Sequence, residues 1–592
     1  MNRLGGSMQP AVRTGRIRRR TFVAGAAGLT AATTSGLLSG CGPDEAVGAS
    51  PESLAAPPAT PGPKLGGIPY PDGYVGPVAR KLGPIVTEPT KFVVVVPQDL
   101  TVGDWAKNKF TKWLEQRTGI TIEFRQIAGA DEDVTIKVNA MIAAGDIPDA
   151  FMGVNFSKSQ LYLYGAQNLF VDQTPYTDKY APNLQQMFRD YPLAKKLATS
   201  PDGNVYVYPS FNDCYHCRAG KSRTWINTRW LKQVGLAMPK TTDEFREVLR
   251  AFKKADPAGR GRTLPFVGYK EDGTNQVTVD KFVMNAFLYN PTSPWLVVDG
   301  GKVNAAYSQD GWREGLKYLR TLYAEGLLNR DAFSMTAEQL QRAGNNKDGP
   351  LLGVFQGNYW GSAMDVDVED PTARWHDYEA LPPLEGPDGF RVANWDHYTG
   401  FDPRLVITRK CRRPDLLVRW ADFQLDLEVM MAAYAGPGSW SFAKRGDKAI
   451  SGKQALFGIS GTWAPDKTKD TWAQRNPNYR SGDFRLSERV DPTKPTFEKP
   501  LYEQTRDRYF PYRVPIEQQF PPVALEGDQA ALDASLSLDL SGEVVQTMAR
   551  FVTGKGDPAD DGQWNDYLGR LDKIGLRPYL DIQQAAYESF QG

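Results

Sequence analysis

Cys214-Tyr215-His216-Cys217 holds two thiols at the spacing used for disulfide exchange. That chemistry needs the first cysteine at a helix N-terminus, where its pKa is lowered. Here an extended stretch, Val-Tyr-Val-Tyr-Pro-Ser-Phe from residue 205, leads into the pair, and loop and strand follow. The pattern predicts a small structural disulfide, Cys214–Cys217, formed in an oxidising compartment. Cys411 is then a free thiol, or the true partner of one of the two. Zinc would require a second cysteine or histidine pair at ligand spacing, which the sequence lacks, so no metal is expected. The sequence also lacks Gly-x-Ser-x-Gly, His-Glu-x-x-His and a phosphate-binding loop. A glycosidase would need two carboxylates placed across the scissile bond. Asp365, Asp367, Glu369 and Asp370 form an acidic run, and a solvated loop explains it more simply.

Aromatic residues make up 11% of the chain and include 14 tryptophans. Several tryptophans sit in turns containing Gly, Asn or Asp. Flat sugar faces stack on such rings, although tryptophan is also often simply core. The six charges of residues 1–40 are all arginine, so the remaining chain carries a small acidic excess over its lysines and arginines. That balance argues against nucleic acid as a partner.

The amino terminus reads as an address. Arg19-Arg20-Thr21-Phe22-Val23 resembles a twin-arginine motif, and Leu38-Ser39-Gly40-Cys41 resembles a bacterial lipobox. Cleavage before Cys41 and lipidation of its thiol would anchor the chain on the outer face of the cytoplasmic membrane, since two acyl chains hold far better than one. Residues 41–90 are rich in Pro and Gly and read as a tether. Ile68, Tyr70, Tyr74 and Val78 are the residues of 65–90 that could dock on the body.

About 500 residues follow, more than one core accommodates, so two lobes are expected. Phe92–Val96 is a β-branched run suited to a strand covered on both faces. Strand and helix then alternate: helix 103–117, strand 120–124, helix 132–144 and strand 150–154. Further strands fit 224–227, 351–355 and 405–408. Helices fit 228–234, 242–255, 309–325, 414–434, 529–553, 560–574 and 579–589. The βαβαβ order predicts an α/β fold with a mostly parallel sheet.

Several short stretches then carry a resemblance: Gly145-Asp-Ile-Pro-Asp149, Asp202-Gly-Asn-Val-Tyr206, Trp225-Ile-Asn-Thr-Arg-Trp230, Met238–Phe245, Gly315–Leu328, Tyr434-Ala-Gly-Pro-Gly-Ser-Trp440, and Phe551–Gly554 with Trp564–Tyr567. Their order over 91–592 resembles the bacterial extracellular solute-binding proteins of family 1. These are the substrate-capturing lipoproteins of ABC importers, and the likeness is to the branch that binds alginate oligosaccharides and maltodextrins. The resemblance implies a periplasmic-binding-protein-like type II fold: two discontinuous α/β lobes, a ligand cleft and a hinge. Lobe 1 is expected at 91–222 plus about 400–470, and lobe 2 at 223–399 plus about 471–592. Crossings are expected near 215–226, 398–407 and 435–470. It implies a monomeric transport protein rather than an enzyme, with an oligosaccharide as ligand, ABC permease subunits as partners, membrane contact through the lipid and no cofactor. An extracytoplasmic carbohydrate-active enzyme, or a surface lipoprotein binding a peptide or sensing a ligand, is the alternative. In the alginate-binding branch a calcium loop follows the capped helix. Here Asp256-Pro-Ala-Gly-Arg keeps one carboxylate and puts Arg260 where an oxygen ligand belongs, so that site is expected to be lost.

Ligands of open α/β sheets lie beyond the carboxyl ends of strands. That rule selects Asn155-Phe156, Tyr208–Asp213, Gly357-Asn358-Tyr359-Trp360 and Trp395-Asp396-His397-Tyr398, with Trp440 as a fifth candidate. The resemblance implies that Asp213 pairs with sugar hydroxyls and that Trp360 stacks on a ring. The predicted ligand-binding residues are therefore Trp360, Asp213, Trp395, Trp440, Asn155, Phe156, Tyr208, Asn358 and Asp396. His397 is placed to reach ligand, and Trp225 and Trp230 read as core.

Overall fold

The computed structural model describes residues 58–591 apart from residues 130, 221, 271–277, 292, 461–468 and 492–495. The twin-arginine-like motif, the lipobox and Cys41 lie outside the described residues. No described helix is long and apolar enough to cross a membrane.

Thr90–Pro97 is the second strand of a sheet that has six strands among the described residues. It pairs in parallel with Ile120–Ile127 on one side and Ala150–Met152 on the other. Its valines Val94, Val95 and Val96 are buried, as covering on both faces requires. The sheet continues through Phe401–Ile407, Tyr208–Asn212 and Tyr479–Arg480. The helix expected at 103–117 spans Lys109–Thr118. Asn108 delays it: its amide donates to the carbonyls of Val102, Lys469 and Thr471, while its oxygen caps Phe110 N–H. Trp105, Phe110, Trp420 and Trp472 fill the core behind this sheet.

The second sheet runs Tyr378–Leu381, Arg223–Asn227, Leu352–Gly357 and Leu264–Val267. Its core joins Phe245, Leu249 and Phe252 of helix Thr242–Ala255 to Trp312, Leu316 and Leu319 of helix Asp310–Ala324 and to Phe551 and Tyr567 near the carboxyl end. The long helix expected at 529–553 spans Gly527–Val552. The helix expected at 414–434 is two, Pro414–Phe423 and Leu427–Ala435. Asp426 divides them, because its side chain accepts from Glu428 N–H and starts a new helix.

The chain passes between the sheets at 213–222, between strands Tyr208–Asn212 and Arg223–Asn227, and at 382–400, ahead of Phe401–Ile407. The last passage comes later than 435–470. Tyr479–Arg480 is still hydrogen-bonded to Phe211–Asn212 of the first sheet, and Trp472 and Tyr479 sit in its core. Only with helix Glu498–Arg508 does the chain pack on Tyr378–Leu381. The described part of the Pro/Gly-rich segment is an ordered arm. Leu65, Ile68, Tyr70 and Tyr74 pack on Leu427, Met430 and Phe484, and Arg80 N–H donates to Asp426.

Asp422 carries a pH-dependent share of the stability. It is buried, accepting from Leu184 N–H and the Tyr208 hydroxyl, both at 2.9 Å, yet burial outweighs these donors and pushes its pKa up to about 7. Its folded value lies above the unfolded one, so between about pH 4 and 7 the folded chain keeps a proton that the unfolded chain has lost. The group therefore destabilises increasingly as pH rises through that window. In Asp422→Asn the loss of stability from pH 4.5 to 7.5, read by urea unfolding, should be smaller than in the parent by on the order of 1–4 kcal/mol. An unchanged pH slope would contradict this.

Candidate functional site

The first passage is a tight turn, Tyr215–Ala219, closed by a Cys214–Cys217 disulfide. Cys411 is the remaining described thiol, buried elsewhere and pushed up to about 12 by that burial. Arg223, at the start of the following strand, reaches back under the turn. It donates to the carbonyls of His216 and Gly220 at 2.7 Å each, to Thr505 Oγ1 at 3.0 Å, and to the Asn358 carbonyl. His216 Nε2 lies 2.9 Å from Glu498 Oε1, which also meets Arg485. Burial and the nearby Arg485 and Arg223 cations outweigh Glu498 and lower the His216 pKa. The Glu498 pKa falls to about 2: the Arg485 and His216 contacts overcome its burial.

This turn is stitched to the second passage. Asp396 N–H donates to Ala219 carbonyl at 3.0 Å, and Arg218 forks onto Asp402 at 2.7 and 3.0 Å. Gly220 permits the approach, since a Cβ there would lie 3.1 Å from both the Trp395 ring and Thr505. Between the passages lies a cavity of about 310 Å³. Tyr215, Trp395, Tyr398 and Phe510 supply aromatic lining; Asp213, Arg218, Asp396 and Arg513 supply polar groups. The Tyr215, Trp395 and Phe510 centroids stand 5.4–6.0 Å apart, and Arg513 stacks on Phe510 at 3.6 Å. Asp213 is held by its N–H to the Arg480 carbonyl. Desolvation and the nearby Asp483 raise its pKa, and hydrogen bonds from Tyr191 and Gly482 oppose them. Asp396 Oδ1 accepts from Gln519 Nε2 at 2.8 Å and from Tyr398 N–H at 2.9 Å.

Asp396, Tyr398, Thr399 and Phe401 also border a second cavity of about 850 Å³. Its walls come from the start of helix Lys158–Ala166, from Pro294 and Leu296, and from Gln519–Leu525. Together the two cavities form a cleft bordered by Phe211 and Phe401 of the first sheet and by Leu296 and Trp395, which pack in the cores of the second.

Of the predicted ligand-binding residues, Asp213, Trp395 and Asp396 meet in the smaller cavity, and Phe156 borders the larger. The rest lie elsewhere. Trp360 is 1% exposed, packed on Trp225 and Trp375 at 4.3 and 5.1 Å, with its N–H on the Tyr378 carbonyl. It is core, because the short helix after Leu352–Gly357 turns its ring inward. Tyr208 is buried, its hydroxyl committed to Asp422. Asn358 is exposed but gives its carbonyl and Oδ1 to Arg223. Asn155 is exposed beside Phe156 and borders neither cavity. Trp440 sits half-buried on a two-stranded ribbon against Phe442, away from both. His397 lines the smaller cavity, yet its Nε2 is on the Val514 carbonyl at 2.7 Å. Asp256 spends its carboxylate on Gly261 N–H at 2.6 Å and on the Thr263 hydroxyl at 2.7 Å.

Sequence reasoning missed Tyr215, Arg218, Phe510 and Arg513. Tyr215 and Arg218 lay within and beside the CxxC, where only the sulfurs drew notice. The Phe510-Pro-Tyr-Arg513 run was an available signal.

The family model "Bacterial extracellular solute-binding protein" matches residues 98–375. The fructooligosaccharide ABC transporter substrate-binding protein FusA of Streptococcus pneumoniae serotype 4 is 27% identical over 491 residues, 81% of this chain and 86% of the relative. Over residues 98–375 the chain is thus similar to the bacterial extracellular solute-binding proteins. The S. pneumoniae FusA structure in complex with kestose superposes with a TM-score of 0.69 at 24% identity, over 85% of this chain and 99% of that one. An HMO-binding ABC-transporter-associated solute-binding protein from Bifidobacterium longum infantis gives 0.70 at 20% identity, over 85% and 99%. The fold is thus periplasmic-binding-protein-like type II, with mixed α/β units and several sheets.

Trp360→Ala should act on stability. Removing a fully buried indole costs about 3–5 kcal/mol, measured by chemical unfolding. A cost below about 1 kcal/mol would contradict its core placement.

Proposed function

We propose that the protein captures an oligosaccharide in the cleft between its two α/β units and presents it to the permease of an ABC-type importer. The observation that carries this reading is the cavity between the first two passages. It sets the rings of Tyr215, Trp395 and Phe510 beside Asp213, Arg218 and Asp396. Aromatic faces and charged hydrogen-bonding groups around a concave space are what sugar faces and hydroxyls require. The passages are also the natural pivots, and closure about them would bury the ligand. FusA, which resembles this chain over most of both lengths, is a fructooligosaccharide transporter's binding protein, and that supports the same class of task.

The amino-terminal motifs support export, with Cys41 lipidated, residues 42–57 as spacer and the body held as a monomer at the outer face of the cytoplasmic membrane. The reading is one of transport rather than catalysis. Asp365, Asp367, Glu369 and Asp370 border neither cavity. Two of them cap their own loop, Asp367 accepting from Glu369 N–H and Asp370 from Thr372 N–H, while Asp365 N–H donates to Asn345 Oδ1.

Native mass spectrometry of residues 42–592 with a mixed oligosaccharide pool tests the proposal. One intact glycan should be retained per chain, and Trp395→Ala or Asp213→Ala should lower its affinity tenfold or more. Absence of any glycan adduct, or shortened sugars appearing in the pool, would overturn it.

A further inference from the structure

A third cavity, of about 600 Å³, lies along the seam beside the cleft. One wall is Lys158, which opens helix Lys158–Ala166, with Lys195 and Lys196 in the last turn of helix Pro192–Ala198. The facing wall is Ala586, Ser589 and Phe590 of the carboxyl-terminal helix Leu576–Gln591. Three lysines line it, and no carboxylate side chain does. Among the described residues none of these ammonium groups makes an ion pair. The nearby acids are engaged elsewhere: Asp202 takes hydrogen bonds from Asn204 and Tyr206, and Glu588 takes one from Gln584. What the lysines do meet is the ring of Phe590, with Lys196 Nζ at 4.4 Å and Lys158 Nζ at 5.5 Å from its centroid. A ring face stabilises a cation only modestly. Burial and the neighbouring Lys196 drive the Lys158 pKa down to about 8, the direction expected of cations crowded together without an anion. Lys158 also borders the 850 Å³ cavity, so the two spaces share a wall.

We infer that this cavity is a carboxylate-binding subsite, which takes the acid group of a uronate-containing oligosaccharide lying in the adjoining cleft. The inference rests on the oligosaccharide reading above and narrows it to acidic glycans. Lys158 and Lys196 come from helices that pack with the first sheet, and Phe590 belongs to the last helix of the chain. A carboxylate held there would bridge the two walls and favour the closed cleft. Two or three ammonium groups around one carboxylate make binding sensitive to salt.

The test is a pool of length-matched neutral and uronate-containing oligosaccharides offered to the full exported chain at low and at 0.5 M salt, with inorganic sulfate as a separate arm. The expected result is selection of uronate-containing glycans. Affinity should fall tenfold or more in Lys195→Gln/Lys196→Gln and at high salt. Selection of neutral glycans alone would overturn this inference while oligosaccharide capture stands. Binding of free sulfate by the parent but not the double variant, with no preference among glycans, would likewise overturn the sugar assignment. No retained glycan at all would overturn both readings.

Discussion

A single buried guanidinium organises the centre of the molecule. Arg223 is fully enclosed, and a buried cation is tolerated only when its donors find acceptors. Its two terminal nitrogens find them in three separate segments: the turn of the first passage, the helix Glu498–Arg508, and the end of strand Leu352–Gly357. No local propensity brings these segments together. The His216–Glu498–Arg485 chain of contacts runs alongside and extends the same principle to residues that pack with the first sheet. The charges are costly to bury, so their arrangement specifies one geometry for the passages more than it adds stability.

The candidate site follows from that geometry. With the Cys214–Cys217 turn fixed from below, Tyr215 is aimed at Trp395 and Phe510, and Ala219 holds Asp396 through its carbonyl. The carboxylates there are each held by donors. Asp402 is satisfied by Arg218 and Arg404, and Asp396 by Gln519 and Tyr398 N–H. Asp213 likewise accepts from Tyr191 and Gly482, while burial and the nearby Asp483 raise its pKa. The cavity thus combines fixed rings with carboxylates whose positions are held by their own donors.

Local signals were legible in the sequence where periodicity and packing agree. The Val93–Val96 run, the helix Thr242–Ala255 with Thr241 as cap, and the helix Asp561–Ile574 lie where pattern alone puts them. Positions set by distant partners were not. The start of helix Lys109–Thr118 depends on Asn108 bonding Lys469 and Thr471, and the late third passage depends on Tyr479 pairing with Phe211. The site divided in the same way. Strand-end reasoning selected Asp213, Trp395 and Asp396, which sit on the passages themselves and line the smaller cavity. It failed for Trp360, because residue type and loop position do not reveal which way a ring turns, and the neighbouring Trp225 and Trp375 offered it a core. Phe510 and Arg513 escaped because the helix that delivers them is placed by the buried ion network, far away in sequence.

The proposed ligand site is the space between the first two passages. A crystal structure of the exported chain grown with its retained glycan tests this most directly. The expected result is a sugar ring against Trp395 and Tyr215 with a hydroxyl on Asp213. A glycan seated instead on the Trp440 ribbon, or outside the cleft altogether, would contradict it.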